Sequence, residues 1–387
     1  METRATTRGY SLLNLEKNPR VQEDREIIAS LTASVSALLP PDLKLLADSP
    51  TRMQRNYSFL FRYSFNRDRE KPTHLLVKIP RETWMTRLDQ AISVPSLKEE
   101  ARREYEVLHS IANVVEALKR PDFCAINVLA YLDDYDAIVM EELELRPLKA
   151  LYLDKYILMN SSKHWKRFEN CLARAGELLR HIHTKLGDEK HMPLCETGTW
   201  SLVDREFSRL DSILPAQIIT KLRGGFGLLY HKIEVVESPV VTLHKDYHLG
   251  NIFLDGGDRI GILDPNWQAK GSIYEDLARL IIDPLTRKVQ ILTFGSYFRS
   301  TDARRFEKAV LGGYFGKSQV DDRVLSFFSA LMVLTLWRMN EESLEAPNSK
   351  VLRVVLNKAF RIPLRRYFSR LTHEYLERGL GSTLVVD

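Results

Sequence analysis

The periodicity of apolar residues changes near residue 143, and this change limits the fold more than any other feature of the chain. Before it, runs such as FLFRYSF (59–65) and THLLVKIP (73–80) have the length and alternation of strands. After it, apolar residues recur at three- and four-residue spacings over long segments, which is typical of helices. The sequence therefore predicts an α+β fold.

Three regions follow from this patterning. We expect an N-terminal helical extension over 1–50, a small antiparallel-sheet lobe over 51–143 and a larger, mostly helical lobe over 144–387. A chain of 387 residues is long enough to form two lobes. A helical pattern at 96–118 belongs to the small lobe.

Composition excludes several classes of protein. Apolar residues make up 44% and charged residues 28% of the chain, as in ordinary soluble globular proteins. The net charge of +5 is too small to indicate nucleic-acid binding. The N-terminal residues lack the apolar segment of a signal peptide, and the longest apolar run, 324–337, is shorter than the roughly 20 residues of a membrane span. We expect a cytoplasmic protein without a nucleic-acid partner.

The segment LHKDYHLGNIFLDGGDRIGILDPNW (243–267) concentrates aspartate, asparagine, histidine and glycine between apolar runs. Asp246 and Asn251 are five residues apart, and Asp264 follows thirteen residues later, at the end of the run IGIL. Such oxygen ligands suit Mg²⁺, which binds one or two protein oxygens together with water and phosphate oxygens. A carboxylate beside a metal-bound phosphate can also accept a proton from a hydroxyl nucleophile.

A plain acidic turn is the alternative interpretation of this segment. The residues DGGD (255–258) carry a strong β-turn signal. Both interpretations hold if the turn joins two short strands whose outer ends carry Asn251 and Asp264. The spacing by itself does not choose between a turn and a metal site.

A family resemblance rests on this segment and on GSIYEDLARL (271–280). The pattern His-x-Asp-x-x-x-x-Asn, followed by two short strands and an apolar run that ends in aspartate, resembles the signature of aminoglycoside phosphotransferases and choline kinases. These proteins form one branch of the bilobal protein-kinase-like fold. The resemblance therefore implies a kinase-like architecture for this chain.

The same resemblance implies roles for individual residues. Asp246 would be the catalytic base that orients the acceptor hydroxyl. Asn251 and Asp264 would bind Mg²⁺. Asp276 would support the loop by hydrogen bonding, and His244 by packing.

The small lobe should then supply a cation for the nucleotide phosphates. Lys78 lies inside an apolar run, where a lysine is unfavourable unless it is paired. A lysine on the exposed face of an edge strand is the alternative. The resemblance implies that Lys78 binds phosphate oxygens and that Glu104, in the next helix, holds it. Glu100, one turn earlier, is the other candidate partner.

The segment IVMEELELRPL (138–148) resembles the hinge that receives the nucleotide base. Backbone groups from Glu141 to Leu143 would bind the base, and Met140 would pack beside it.

The sequence departs from the family pattern at three places. The loop around 55–58 contains no glycine, which normally lets backbone amides approach phosphates, and Ser58 is the expected replacement. Lys245 stands where glycine is common, and Asp264 is followed by Pro-Asn instead of Phe-Gly.

Two other glycine-rich stretches are not expected to bind phosphate. GGYFGKS (312–318) lacks the spacing of a P-loop and no strand precedes it, so a turn at the end of a helix is predicted. GGFG (224–227) is predicted to be a loop.

The resemblance implies an enzyme that moves the γ-phosphate of ATP, or of GTP, to a hydroxyl group of a small molecule with the help of Mg²⁺. Seven Lys or Arg residues and no acidic residue occur over 350–373. Such a surface suits a sugar, polyol or glycan-type acceptor better than a polycationic aminoglycoside, and it could also contact an anionic membrane peripherally. An aminoglycoside or amino-alcohol kinase and an inactive pseudokinase that binds a nucleotide or a partner are the alternatives.

Overall fold

The chain divides into two compact units. Unit 1 comprises Met1–Ala112 and Ile126–Leu143, and unit 2 comprises Asn113–Ala125 and Glu144–Asp387. The computed structural model describes residues 19–47, 49–53, 57–66, 73–143, 145–157, 162–187, 190–264, 270–345 and 351–381.

Unit 1 is built on an antiparallel sheet. Its strands are β1 (Lys44–Leu45), β2 (Thr51–Met53), β3 (Ser58–Asn66), β4 (Thr73–Pro80), β5 (Val128–Leu132) and β6 (Ala137–Glu141). The strand order is β1-β3-β4-β6-β5, and β2 pairs with β3. The helices of this part of the chain are α1 (Pro19–Ala37), α2 (Leu88–Ile92) and α3 (Pro95–Leu118), of which α3 continues into unit 2. The predicted antiparallel sheet is confirmed.

The core of unit 1 lies on one face of this sheet. Alternate residues of β3 point into it because side chains of a strand have a period of two. These residues are Phe59, Phe61, Tyr63 and Phe65. Leu31 and Val35 of α1 are fully buried in the same cluster. The described helix of the N-terminal region is therefore part of the core of unit 1.

Unit 2 is mostly helical. Its helices are α4 (Leu148–Ile157), α5 (Ser162–Leu186), α6 (Thr199–Leu210), α7 (Ala216–Ile233), α8 (Ile273–Ile282), α9 (Lys288–Leu292), α10 (Ser300–Phe315), α11 (Asp322–Glu345) and α12 (Val351–Leu380). Short 3-10 helices occupy Leu194–Glu196 and Asp283–Thr286. None of the described helices has both the length and the hydrophobicity needed to cross a bilayer.

Two small antiparallel sheets interrupt these helices. Their strands are β7 (Arg146–Pro147), β8 (Lys190–Pro193), β9 (Glu237–Thr242), β10 (Ile252–Leu254), β11 (Ile260–Ile262) and β12 (Lys270–Ser272). One sheet has the order β11-β10-β7 and the other β12-β9-β8. The predicted α+β class, with a sheet-rich and a helical part, is confirmed.

The prediction of a loop at the glycine-rich stretch 224–227 is wrong. The stretch lies inside α7 and is not a loop. Leu222, Phe226 and Leu229 are fully buried at helical spacing. Their burial outweighs the low helix propensity of the neighbouring glycines, because packing of an apolar face supplies most of the stability of a protein helix.

The stretch at 312–318 ends a helix, as predicted. Phe315 is the last residue of α10, and Gly316 follows with φ +61°. The φ of Gly316 lies in the left-handed region that glycine adopts without a steric penalty.

Helices α5 and α10 cross with their backbones in contact, and glycine makes this approach possible. A Cβ atom on Gly313 would lie 1.8 Å from the carbonyl oxygen of Ala173. A Cβ atom on Gly176 would lie 2.2 Å from the carbonyl oxygen of Val310. Both obstacles are backbone atoms, so no side-chain rotation can relieve them.

We expect Gly313→Ala to destabilise the protein by about 2 kcal/mol or more, since α5 and α10 must separate to admit the methyl group. The matched control is Gly312→Ala, because in the described part of the chain no atom outside the local helix backbone lies within 4 Å of a Cβ on that glycine. Alanine there should leave stability unchanged or raise it by up to about 1 kcal/mol through helix propensity. Urea denaturation measures both variants. Equal stability of the two would contradict the close crossing.

Candidate active site

The loop 244–251 lies between β9 and β10 and is anchored by apolar side chains within it and immediately before it. The fully buried anchors are Leu243, Tyr247 and Leu249. The hydroxyl of Tyr247 donates a hydrogen bond to the carbonyl oxygen of Ala175 at 2.8 Å. Asp246 and Asn251 alternate with these anchors and stay partly exposed. The alternation therefore fixes the loop while leaving its polar groups accessible.

A buried carboxylate lies under the start of this loop. Asp276, in the first turn of α8, is fully buried and accepts hydrogen bonds from the amides of His244 at 2.6 Å and Lys245 at 2.8 Å. Its Oδ2 also lies 3.1 Å from Nε2 of His183, whose Nδ1 is 2.8 Å from the hydroxyl of Tyr314. Burial raises the pKa of Asp276, but the hydrogen bond from His183 and the bonds from the loop lower it below its ordinary value.

Lys245 accounts for one departure from the family pattern. Its φ is +63°, in the left-handed region that glycine favours. Its ammonium group lies 2.6 Å from Oε2 of Glu275, which is mostly buried. Burial raises the pKa of Glu275, and the charge of Lys245 acts against that rise. This ion pair offsets part of the backbone strain of a lysine at a glycine position.

Donors surround the carboxylate of Asp246. Its Oδ1 accepts from Nε and Nη2 of Arg279, at 3.3 and 3.0 Å. Its Oδ2 accepts from Nδ2 of Asn251 at 3.1 Å and lies 3.3 Å from Nε2 of His248. Burial raises the pKa of Asp246, but the hydrogen bond and charge of His248 and the charge of Arg279 together move it well below its ordinary value. The group is therefore an ionised carboxylate at neutral pH.

His248 has a defined tautomer in this arrangement. Its Nδ1 accepts a hydrogen bond from the amide of Gly250 at 2.9 Å. The proton of the neutral ring must therefore be on Nε2, the atom that faces Asp246.

One face of α8 and of the turn after it organises the loop. Asp276, Arg279 and Asp283 are separated by three and four residues, a spacing that places side chains on the same side of a helix. Asp283 accepts a hydrogen bond from the amide of Leu249 at 3.3 Å and pairs with Arg287. Sequence reasoning missed Arg279 and Asp283, and it assigned His248 only to packing of the loop. The spacing Asp-x-x-Arg-x-x-x-Asp, next to a motif that needs support, was the available signal for the first two.

Asn251 and Asp264 are brought together by the pairing of β10 and β11. The amide of Leu263 donates to the carbonyl oxygen of Asn251 at 2.7 Å, so that Asp264 follows directly beside Asn251. The Nδ2 of Asn251 also donates to the carbonyl oxygen of Asp246 at 3.1 Å. Both bonds of Asn251 use its nitrogen, so its amide oxygen points elsewhere, and Asp264 is an exposed residue. Within the described ranges no three His, Cys, Asp or Glu side chains form a metal-binding cluster.

The DGGD residues form the predicted turn. β10 and β11 pair in antiparallel register, and the amide of Asp258 donates to the carbonyl oxygen of Asp255 at 3.0 Å. The side chain of Asp255 accepts from the amides of Gly257 and Arg259. The turn interpretation is confirmed, and Asn251 and Asp264 lie at the outer ends of its two strands.

A buried ion pair lies in unit 1. The ammonium group of Lys78 in β4 lies 2.6 Å from Oε1 of Glu104 in α3, and both side chains are mostly buried. β4 pairs with β3 on one side and β6 on the other, so the alternative of a lysine on an edge strand is wrong. Glu100 is exposed. Glu104 is therefore the partner of Lys78.

The residues expected to contact the nucleotide base lie at the end of β6 and directly after it. Met140 is buried, and Glu141 is the last residue of the strand. The amide of Glu141 donates to the carbonyl oxygen of Asn127 at 3.0 Å, and the amide of Glu142 donates to that of His74 at 2.9 Å. Both amides are thus used inside unit 1.

Two of the departures from the family pattern are only partly described. Ser58 begins β3 and is buried. Residues 54–56 before it, and 265–269 after Asp264, lie outside the described part of the chain.

Comparison with known proteins identifies the family. The sequence model of the phosphotransferase enzyme family matches residues 63–316. None of the curated protein sequences compared with the chain is significantly similar to it.

Solved structures share the fold at low sequence identity. A provisionally assigned aminoglycoside phosphotransferase from Ralstonia eutropha JMP134 is 11% identical, with a TM-score of 0.54 over 89% of this chain and 98% of that one. A glucosamine kinase in complex with glucosamine, ADP and inorganic phosphate is 13% identical, with a TM-score of 0.52 over 94% of this chain and 88% of that one. A choline/ethanolamine kinase family protein from Mesorhizobium loti is 14% identical, with a TM-score of 0.50 over 94% of this chain and all of that one.

These likenesses confirm the protein-kinase-like fold expected from the motif at 244–280. The family match covers more than half of the chain. The chain therefore belongs to the phosphotransferase enzyme family and is a kinase that transfers a phosphate to a hydroxyl group.

Proposed function

We propose that this kinase uses ATP and Mg²⁺ to phosphorylate a hydroxyl group of a small molecule, with Asp246 as the catalytic base. The observation that carries this proposal is the carboxylate of Asp246, which is partly exposed, ionised and held by donors on both oxygens. A fixed carboxylate of this kind can accept a hydrogen bond from an incoming hydroxyl and aim its oxygen at a phosphorus atom. It then takes the proton as the new oxygen–phosphorus bond forms, while the bond from the γ-phosphorus to the bridging oxygen breaks and ADP leaves.

The proposed magnesium ligands are the amide oxygen of Asn251 and the carboxylate of Asp264. Their donor set fits Mg²⁺, because this ion accepts few protein oxygens and takes the rest of its ligands from water and phosphates. The bond from Nδ2 of Asn251 to Asp246 supports this assignment, since it directs the nitrogen of the amide away and leaves the oxygen for a cation. When bound, the ion would neutralise negative charge on the transferred phosphate.

In unit 1, Lys78 is the proposed ligand of the nucleotide phosphates. Its ion pair with Glu104 supports this role, because it holds a charged side chain in one orientation inside a largely buried environment. Met140 would pack against the base. The amide of Leu143 is the proposed donor to the base, since those of Glu141 and Glu142 are bonded within the unit. Ser58 would replace the missing glycine near the phosphates.

The charges around Asp246 favour a neutral hydroxyl acceptor such as a sugar or polyol. The carboxylates of Asp246 and Asp283 are matched there by the guanidinium groups of Arg279 and Arg287. A polycationic acceptor would need more carboxylates than guanidinium groups, and these four residues carry equal numbers of both. The glucosamine kinase of the same fold is a precedent for a sugar acceptor, although that sugar also carries one amine, and the choline/ethanolamine kinase relative keeps an amino alcohol as the second candidate.

The basic stretch at 350–373 contributes less to this choice than its composition indicated. Arg361 and Arg365 both bind the fully buried carboxylate of Glu341. Lys350 and the side chains over 351–359 lie outside the described residues. In the described part of the stretch, the cations available to an anionic membrane are thus fewer than the sequence indicated.

Replacement of Asp246 tests the proposed base. We expect Asp246→Asn to lower kcat by about 100- to 10,000-fold, because the amide cannot accept the hydroxyl proton. The measurement is ADP release from Mg·ATP with a panel of sugars, polyols, amino alcohols and aminoglycosides. The matched control is Asp258→Asn, a half-buried turn residue with φ +61° that asparagine adopts readily. Turnover of Asp246→Asn at the rate of this control would remove Asp246 as the base.

Replacement of Glu104 tests the nucleotide site without any acceptor. We expect Glu104→Gln to weaken binding of Mg·ATP about 10-fold, equivalent to about 1.4 kcal/mol, since Lys78 loses the charge that orients it. Glu100→Gln, one helical turn away and exposed, should bind as the wild type does. Titration calorimetry gives both dissociation constants. If only the Glu100 variant bound Mg·ATP more weakly, Glu104 would not be the residue that orients Lys78.

A further inference from the structure

Arg279 bonds the proposed base but is given no role of its own by the motif at 244–264. It lies on α8, three residues after Asp276, and its side chain is only 14% exposed. Two of its N–H groups point at a single oxygen, Oδ1 of Asp246. The bond is between a rigid guanidinium fork and a carboxylate, which makes it directional as well as strong.

Without a donor on Oδ1, the carboxylate of Asp246 would not keep one orientation. The Asp246 side chain is 46% exposed, and the terminal torsion of an aspartate is broad. Asn251 holds only Oδ2, and the contact of His248 is also on Oδ2. Arg279 is therefore the group that holds Oδ1 and fixes the plane of the carboxylate.

The position of Arg279 is itself fixed. Its Nη1 lies 4.0 Å from Oδ1 of Asp283. Asp283 in turn pairs with Arg287 and accepts the amide of Leu249. The guanidinium thus lies between two carboxylates that are both tied to the loop 244–251.

We infer that Arg279 is a positioning residue for the phosphoryl transfer, and that it acts by holding Oδ1 of Asp246 and so fixing the plane of the carboxylate that receives the acceptor hydroxyl. This inference rests on the proposed role of Asp246 as the base. It assigns Arg279 no contact with the acceptor, because three of its nitrogens are directed at the carboxylates of Asp246 and Asp283.

The test measures kcat and KM for wild type, Arg279→Met and Arg279→Lys with the best acceptor of the panel. We expect Arg279→Met to lower kcat about 100-fold, the effect of misplacing a reacting group by about 1 Å. The KM values for ATP and acceptor should stay within about 3-fold of wild type, because binding does not use the guanidinium. Arg279→Lys keeps the charge but not the fork, and should recover part of the lost kcat.

A double-mutant cycle separates this role from a structural one. In the Asp246→Asn background, Arg279→Met should lower kcat no further, since residues that act as a unit are not additive. An equal loss of kcat in both backgrounds would overturn the inference, and so would an unchanged kcat or a raised KM for the acceptor in the single variant. Thermal melting of each variant shows that it is folded, and Arg279→Lys serves as the test if the methionine variant is not.

Arg287→Met is the control for loss of a positive charge. Arg287 is buried to a similar degree and pairs with Asp283. Its loss of kcat should be at least about 10-fold smaller than that of Arg279→Met, because it does not bond Asp246. If Arg287→Met and Arg279→Met lost the same factor of kcat, the loss would be due to net charge and the inference would be overturned. Wild type without turnover, or Asp246→Asn with full turnover, would instead refute the proposed function.

Discussion

The loop 244–251 depends on one buried charge, the carboxylate of Asp276. A buried carboxylate is unfavourable unless donors surround it. Here the amides of His244 and Lys245 and the ring of His183 provide them. The position of Asp276 in the first turn of α8 adds the favourable field of a helix N-terminus. Removal of any of these donors would leave charge uncompensated in the core, so the start of the loop is tied firmly to α8 and α5.

The same helix face continues this control along the loop. Arg279 meets Asp246, and Asp283 meets the amide of Leu249. The carboxylates of Asp276 and Asp283 thus accept from backbone amides of the loop. Arg279, which lies between them in the sequence, binds the partly exposed carboxylate of Asp246. A rigid helix therefore sets the geometry of a segment that has no regular structure of its own, which is the arrangement a site for phosphoryl transfer needs.

The sequence was informative where chemistry and periodicity coincide. Residue type and spacing drew attention to Asp246, Asn251 and Asp264, but only the family resemblance separated a metal site from a plain turn. Lys78 could be selected because a lysine inside an apolar strand needs a partner. Its partner was harder to choose, since Glu100 and Glu104 are one helical turn apart and only packing distinguishes them.

Other features required three-dimensional structure. Arg279 is one of many arginines with a helical pattern around it, and such residues usually face solvent. Lys245 has a positive φ, and its amide donates a hydrogen bond to Asp276, which is more than thirty residues away in the sequence. The helix through 224–227 depends on the burial of Phe226, which outweighs the local preference of its glycines.

The most direct measurement of the proposed activity follows the phosphate itself. A ³¹P NMR time course of the protein with Mg·ATP and glucosamine, choline or a polyol reports where the γ-phosphate goes. We predict that a phosphate monoester of one of these hydroxyl compounds grows at the rate at which ADP appears. Binding of Mg·ATP with no phosphate monoester on any acceptor, and the γ-phosphate signal of ATP unchanged, would contradict phosphoryl transfer and leave a pseudokinase.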